Sequence, residues 1–151
     1  MSLGIWMLFG KRKRIVKRIL IVEDEPLIAF DNEVMLGDAG YEVVATLDGF
    51  DEAIALLARE QVDLILSDVR LQHGRRSGID LARAAKKQGV PVLFASGHKP
   101  PDDAPEFALG CLMKPYSERQ LRQALDSVER FLAGKKVRPP KGLHFFAVQQ
   151  G

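Results

Sequence analysis

Four polar sites, each directly after a short apolar run, are the part of this 151-residue chain that could do chemistry. The apolar runs are typical of buried strands, so each polar site would lie at the carboxyl end of a strand. The sites are Glu23-Asp24, Asp68, Ser96 and Lys114. If the strands are parallel, all four sites meet at one edge of one sheet, in a crevice suited to a divalent cation and a phosphoryl group.

The three carboxylates point most directly to a metal. Glu23 and Asp24 are adjacent, and two buried like charges need a cation or open water because they repel each other and lose hydration. Together with Asp68 they offer the oxygen ligands that Mg²⁺ prefers. A carboxylate at such a site can also attack phosphorus and hold the phosphoryl group as an acyl phosphate. Taken singly, Asp24 or Asp68 could equally cap the helix that follows it.

Lys114 and Ser96 suit the phosphoryl group itself. The lysine has a long stem and a compact charge that can reach a phosphate, and Pro115 keeps it out of helical geometry. The serine hydroxyl can hydrogen-bond a phosphoryl oxygen, and Gly97 beside it allows close approach of the backbone. Both are ordinary loop dipeptides, so the signal is their combination with the carboxylates at successive strand ends.

The elements that must position these sites follow from the hydrophobic pattern. From Arg18 onward, short apolar runs alternate with stretches of helical period, which predicts five βα units and a parallel sheet. The predicted strands are 18–22, 42–46, 62–67, 91–95 and 110–113. Three prolines in 97–105 restrict the fourth helix to a short one near Ala104, and Ser117 is the predicted N-cap of a last helix that ends at Leu132.

Size and charge predict one domain with basic ends. The hydrophobic content of 46% and charged content of 28% are ordinary for a globular domain. Residues 1–17 carry five Lys/Arg and no acid, residues 133–151 carry four and no acid, and the 13 basic residues between them face 20 acidic ones. We therefore predict a basic, apolar N-terminal extension at 1–17, a domain at 18–132 and a basic flexible tail at 133–151. This pattern argues against direct DNA binding.

The expected location is the cytoplasm. The single cysteine, Cys111, has no partner for an internal disulfide, which suits a reducing compartment, and we predict that it lies in a buried strand. The apolar stretch at 3–9 is about seven residues long, whereas crossing a bilayer takes roughly 20. It precedes the basic run at 11–14, which is the reverse of a secretory signal. Membrane contact is not expected.

Residues 19–125 resemble the receiver domain of two-component response regulators. The resemblance is carried by four motifs, Val22-Glu23-Asp24-Glu25, Leu66-Ser67-Asp68-Val69-Arg70-Leu71, Phe94-Ala95-Ser96-Gly97 and Met113-Lys114-Pro115. It implies a flavodoxin-like α/β fold, a doubly wound sheet with helices on both faces. Its five parallel strands would run in the order 2-1-3-4-5.

The resemblance also implies a role for each site residue. Asp68 would accept a phosphoryl group from a phosphohistidine on a sensor histidine kinase or a histidine phosphotransfer protein. The Mg²⁺ ligands would be Glu23, Asp24, Asp68 and the backbone carbonyl of Arg70, and the phosphoryl contacts would be Ser96 and Lys114. Output would pass to an unidentified partner protein, and a homodimer is left open.

The sequence departs from the family at the position of its usual switch residue. Most receivers have an aromatic residue three positions before the strand-five lysine, where this chain has Cys111. The run Phe94 to His98 resembles that of stand-alone receivers with a Phe-Ala-Thr-Gly-aromatic signature, which also lack that ring. We hypothesise that His98 and Phe107 share the relay role; a surface His98 and a core Phe107 is the open alternative.

The function predicted from these residues is that of a single-domain response regulator, which accepts a phosphoryl group and signals or relays through protein contacts. It would phosphorylate and dephosphorylate itself without being a multiple-turnover enzyme. Two alternatives are a degenerate receiver that only docks, and a phosphohydrolase with an aspartate nucleophile. The Asp-x-Asp arrangement of the latter is missing, because Arg70 stands where the second aspartate would be.

Overall fold

The computed structural model describes residues 14–71 and 76–146. Most of the predicted N-terminal extension and the last residues of the predicted tail lie outside these ranges. The strands are β1 Arg18–Val22, β2 Glu42–Leu47, β3 Leu64–Ser67, β4 Val92–Ser96, β5 Gly110–Met113 and β6 Leu143–Phe145. The helices are α1 Pro26–Asp38, α2 Phe50–Leu57, α3 Gly78–Lys87 and α4 Glu118–Leu132, with a 3₁₀ turn at Ala104–Glu106.

The sheet has the order β2-β1-β3-β4-β5-β6, and its first five strands are parallel. The predicted fold class and the order of these five strands are therefore confirmed. In a parallel sheet the carboxyl ends of the strands share one edge, where the crevice of a doubly wound fold lies. The four polar sites lie at this edge, since Glu23-Asp24, Asp68 and Lys114 directly follow β1, β3 and β5 and Ser96 ends β4.

Helices cover both faces of the sheet because side chains alternate along each strand. In β1, Leu20 and Val22 pack on the side of α2 and α3, whereas Ile19 and Ile21 pack on the side of α1 and α4. Nearly all residues of β1, β3 and β4 are buried, as expected for central parallel strands. The site thus rests on rigid elements.

The prediction of five strands was incomplete, since β6 pairs antiparallel with β5 at the edge of the sheet. It comes from the segment 133–151, which was predicted to be a flexible tail. Phe145 lies opposite Gly110, and its ring stacks on that of Phe131 at 4.7 Å between centroids. A three-residue strand is too short for a hydrophobic period to reveal it, and it follows a basic, proline-containing stretch that predicts no regular structure.

Between β4 and β5 the chain makes a 3₁₀ turn at Ala104–Glu106 in place of a full helix, as the prolines predict. Ala104 and Phe107 close the core on this side of the sheet. Phe146, which follows β6, packs into the same apolar cluster. The C-terminal segment thereby covers part of the face that a longer helix would cover.

The folded domain begins before Arg18. Val16 is buried, and the backbone N–H groups of Ile15 and Val16 both donate to the carboxylate of Glu129 in α4. Arg14 lies over the ring of Tyr41, 4.5 Å from its centroid. These contacts join the end of the predicted extension to the domain.

Candidate functional site

The sheet edge brings together the acidic and basic side chains predicted for the site. Glu23 and Asp24 follow β1 directly, and Asp68 follows β3. Lys114 comes directly after β5, and its Nζ lies 2.5 Å from Glu23 Oε1 and 3.3 Å from Asp68 Oδ2. One ammonium therefore bridges carboxylates from two different strands.

Burial makes this bridge electrostatically strong. The Lys114 side chain is 16% exposed and that of Glu23 only 2%. Burial raises the pKa of Glu23, and this effect outweighs the opposing ion pair with Lys114. Burial alone would lower the pKa of Lys114, but the carboxylates of Glu23 and Asp68 raise it further than burial lowers it. The ammonium is thus charged at neutral pH and can donate to an anionic group.

Three carboxylates at this edge form a group that fits a divalent cation. Glu23, Asp24 and Asp68 each offer one oxygen, and these oxygens all lie within 4.8 Å of one another. Mg²⁺ is typically held by few protein carboxylates together with waters and phosphate oxygens, and this donor set meets that chemistry.

The Asp68 carboxylate is oriented from two sides. Its Oδ1 accepts a hydrogen bond from the backbone N–H of Arg70 at 3.2 Å, and its Oδ2 faces Lys114. Arg70 itself is exposed. The role of its backbone carbonyl as a metal ligand stays a prediction.

The helix-capping alternative does not describe these acids. Glu25 occupies the N-cap position of α1 without a side-chain cap, and its N–H donates to Glu23 Oε2 at 3.2 Å. The helix after Asp68 is α3, which has a reciprocal capping box formed by Ser77 and Asp80. Asp24 and Asp68 therefore lie at the crevice and are not the N-caps of the helices that follow them.

Ser96, the last residue of β4, is fully buried. Its Oγ accepts the backbone N–H of His98 at 3.0 Å, and its backbone carbonyl accepts the N–H of Lys114 at 3.0 Å. Ser96 is thus joined to the lysine through the main chain. Direct contact of its hydroxyl with a phosphoryl group stays a prediction.

The proposed switch residues occupy different environments. His98 is exposed, whereas Phe107 is buried under the guanidinium of Arg83, which lies 4.8 Å from the ring centroid. Cys111 is buried in β5, as predicted. These positions match the surface-and-core alternative, and a relay role for His98 and Phe107 stays a prediction.

Sequence reasoning missed Gly78 as a site residue. A β-carbon at this position would lie 1.8 Å from the backbone oxygen of Asp68, so only glycine allows α3 to start against the aspartate. The same Asp68 oxygen accepts a hydrogen bond from Ser67 Oγ at 2.8 Å. A glycine directly after the capping serine was the signal available in the sequence.

The chain matches the family model described as the response regulator receiver domain over residues 19–126. It is 35% identical over 121 residues to the transcriptional regulatory protein PdtaR of Mycobacterium tuberculosis. The aligned region covers 76% of this chain and 58% of PdtaR. It is 37% identical over 82 residues to the phyllosphere-induced regulator PhyR of Methylorubrum extorquens, covering 53% of this chain and 30% of the relative.

Solved structures agree with this match. The chemotaxis response regulator CheY4 of Vibrio cholerae is similar at a TM-score of 0.66 and 29% identity, covering 75% of this chain and 98% of that one. The response regulator PhyR of Brucella abortus is similar at a TM-score of 0.63 and 30% identity, and the match covers 81% of this chain and 51% of that one. This chain spans only about 58% of the length of PdtaR. With the fold, the strand-end acids and the bridging lysine in place, the chain belongs to the response regulator receiver family.

Proposed function

We propose that this chain accepts a phosphoryl group on Asp68 from a phosphohistidine and signals through protein contacts. The observation that carries the proposal is the Lys114 ammonium held between Glu23 and Asp68, beside three carboxylate oxygens within 4.8 Å of one another. Mg²⁺ bound by Glu23, Asp24 and Asp68 would neutralise charge on the transferring oxygens.

The chain's own residues account for the transfer step. An oxygen of the Asp68 carboxylate forms the new bond to phosphorus as the bond from phosphorus to the donor's imidazole nitrogen breaks, and that nitrogen keeps the electron pair and takes up a proton. Lys114 donates to the phosphoryl oxygens while it stays charged. The Arg70 N–H keeps the carboxylate oriented. The proposed product is an aspartyl phosphate.

The surroundings of the site favour a protein donor. On α1, which begins two residues after Asp24, Leu27 is 81% exposed and Phe30 is 63% exposed. Met113, directly before Lys114, is also exposed. Large exposed apolar side chains on elements that border a reactive pocket are typical of a protein-binding surface. This surface supports docking of a sensor histidine kinase or a histidine phosphotransfer protein.

The cleft next to the acids suits a cation. Its volume is about 320 Å³, and Asp48 and Glu52 line it together with Glu23 and Asp24. Four acids attract a cation. A phosphohydrolase is disfavoured because the second aspartate of its Asp-x-Asp arrangement is missing, since Arg70 stands at that position. The relatives found are regulators. A role in docking alone is disfavoured because the predicted acids and Lys114 meet at one edge.

The direct test is the mass of the protein after incubation with acetyl phosphate and Mg²⁺. We expect one labile phosphoryl group on the wild type and on Asp126→Asn, a control in α4 remote from the sheet edge, and none on Asp68→Asn. Absence of an adduct on the wild type would leave the docking alternative. Rapid turnover of several phosphate esters would instead identify a phosphohydrolase.

The donor surface has a separate test in Phe30→Ala. Transfer from a phosphorylated histidine phosphotransfer protein should slow by roughly tenfold or more, because truncating an aromatic side chain that anchors an interface costs about 2 kcal/mol or more. Phosphorylation by acetyl phosphate should not change. The exposed neighbour variant Asp31→Ala is the control. Equal rates for both variants with the protein donor would exclude this surface.

The proposed setting is the cytoplasm, where a kinase partner and a lone thiol are both expected. Among the described residues, no helix combines the length and apolar character needed to cross a membrane.

A further inference from the structure

Helix α1 buries one polar side chain in an otherwise apolar stripe. Its buried residues are Ala29, Asn32 and Leu36, and Asn32 is only 2% exposed. The amide oxygen of Asn32 accepts a hydrogen bond from the hydroxyl of Tyr116 at 2.8 Å. A buried amide without such a partner destabilises the fold, so this contact holds α1 and Tyr116 together.

Tyr116 lies on the short segment that carries the site lysine. At one end of the segment, the backbone N–H of Lys114 donates to the carbonyl of Ser96. At the other end, Ser117 caps α4 through a reciprocal capping box. Between these two anchors, the Tyr116 hydroxyl links the segment to α1.

The position of Lys114 depends on both ends of this link. Its amine must stay within reach of two carboxylates, Glu23 and Asp68, although a lysine side chain is flexible. Helix α1 starts three residues after Glu23, so the Tyr116 contact joins the helix that follows the acid pair to the segment that carries the lysine. Burial and the nearby carboxylates also raise the pKa of Tyr116, which keeps its hydroxyl protonated as a donor.

We propose that Tyr116 and Asn32 are positioning residues, whose hydrogen bond holds the Lys114 ammonium against Glu23 and Asp68 for phosphoryl transfer. This inference rests on the proposed function. Neither residue touches the reacting atoms in this arrangement. Their contribution is to restrict where the lysine segment and α1 lie relative to each other.

The test compares Tyr116→Phe with Tyr41→Phe. The second variant removes the hydroxyl of the other tyrosine in the sequence, which lies under Arg14 and away from the site. With acetyl phosphate and saturating Mg²⁺, the maximal phosphorylation rate of Tyr116→Phe should fall by about three- to tenfold, the effect of one ordinary hydrogen bond. The acetyl phosphate concentration for half-maximal rate should stay within about twofold, since the reactive groups themselves remain. Tyr41→Phe should behave as wild type.

A second readout follows the lysine directly. The NMR signal of the Lys114 ammonium should broaden and exchange faster with water in Tyr116→Phe, and stay unchanged in Tyr41→Phe. Asn32→Leu should reproduce the loss, and the double variant Asn32→Leu/Tyr116→Phe should lose no more than either single one, because both remove the same bond. Thermal unfolding checks that each variant is folded.

Two results would overturn the inference: a wild-type ammonium signal and rate in Tyr116→Phe, or losses that multiply in the double variant. A wild-type protein that accepts no phosphoryl group would refute the proposed function instead. In that case the ammonium signal still decides whether the hydrogen bond positions Lys114.

Discussion

Burial and charge act in opposite directions on Glu23. Burial raises its pKa while the Lys114 ammonium lowers it, and the net effect is an increase. A proton therefore competes with a cation for this carboxylate at a higher pH than at an ordinary glutamate. Cys111 shows the simpler case, since burial dominates and raises its pKa to about 11.

The Cys111 shift predicts the reactivity of the single thiol. The thiolate is the nucleophile and its pKa rises from 9 to about 11, so ionisation alone should slow the reaction of the folded protein with iodoacetamide at pH 8 by about a hundredfold relative to the unfolded chain. Because the thiol is also buried and hard for the reagent to reach, we expect at least this difference. The rate should climb as the pH approaches 11. Mass spectrometry of quenched samples measures it, and equal rates for folded and unfolded protein would contradict the prediction.

Among the elements, α3 begins directly against Asp68, the residue proposed to accept the phosphoryl group. Its first residue, Gly78, lies against the backbone oxygen of Asp68, and its capping box holds that first turn in place. The contact joins the helix to the end of β3 without any side chain between them. A shift of α3 would therefore move Asp68 itself.

Substituting alanine at Gly78 tests this contact. The new β-carbon would overlap the Asp68 oxygen, so we expect the free energy of unfolding to fall by roughly 1–3 kcal/mol and phosphorylation by acetyl phosphate to slow. Gly37→Ala is the matched control, because a β-carbon there meets nothing within 4 Å. Its stability should be unchanged or rise by up to about 1 kcal/mol. Urea unfolding that ranks the two variants equally would refute the contact's importance.

At the scale of the whole molecule, β6 extends the sheet beyond β5 and forms its last strand. Its backbone pairs with β5, and flanking bonds run from Met113 N–H to the Gly142 carbonyl and from Phe146 N–H to the Leu109 carbonyl. Gly110 permits this approach, since a β-carbon there would lie 2.3 Å from the His144 oxygen. The paired edge of β5 is thereby covered, and an uncovered edge strand is prone to pair with another chain.

Truncating the Phe145 ring tests how much the packing of β6 stabilises the fold. Phe145→Ala should lower the free energy of unfolding by about 3 kcal/mol, because the buried ring and its stacking on Phe131 are lost. His144→Ala, an exposed position on the same strand, should stay within about 0.5 kcal/mol of wild type. Urea unfolding compares the three proteins. If Phe145→Ala lowered the free energy of unfolding as little as is expected for His144→Ala, packing of the Phe145 ring would add little to stability.

The sequence pattern by itself determined the parallel α/β class and the meeting of Glu23, Asp24, Asp68 and Lys114, whereas the order of the five parallel strands came from the resemblance to the receiver family. It could do so because each site residue directly follows an apolar run, and the parallel arrangement brings strand ends to one edge. Local pattern was enough where chemistry sits at the end of an element. The prolines likewise predicted the short turn near Ala104.

Only the tertiary structure revealed β6, the contact of Gly78 with Asp68 and the bond from Tyr116 to Asn32. A three-residue strand has too few positions to show a period. The partners in the other two contacts lie 10 and 84 positions apart, and each contact joins a helix to a connecting segment. Which groups meet across the fold depends on the packing of the whole core, and a local signal such as the glycine after Ser77 does not identify the partner.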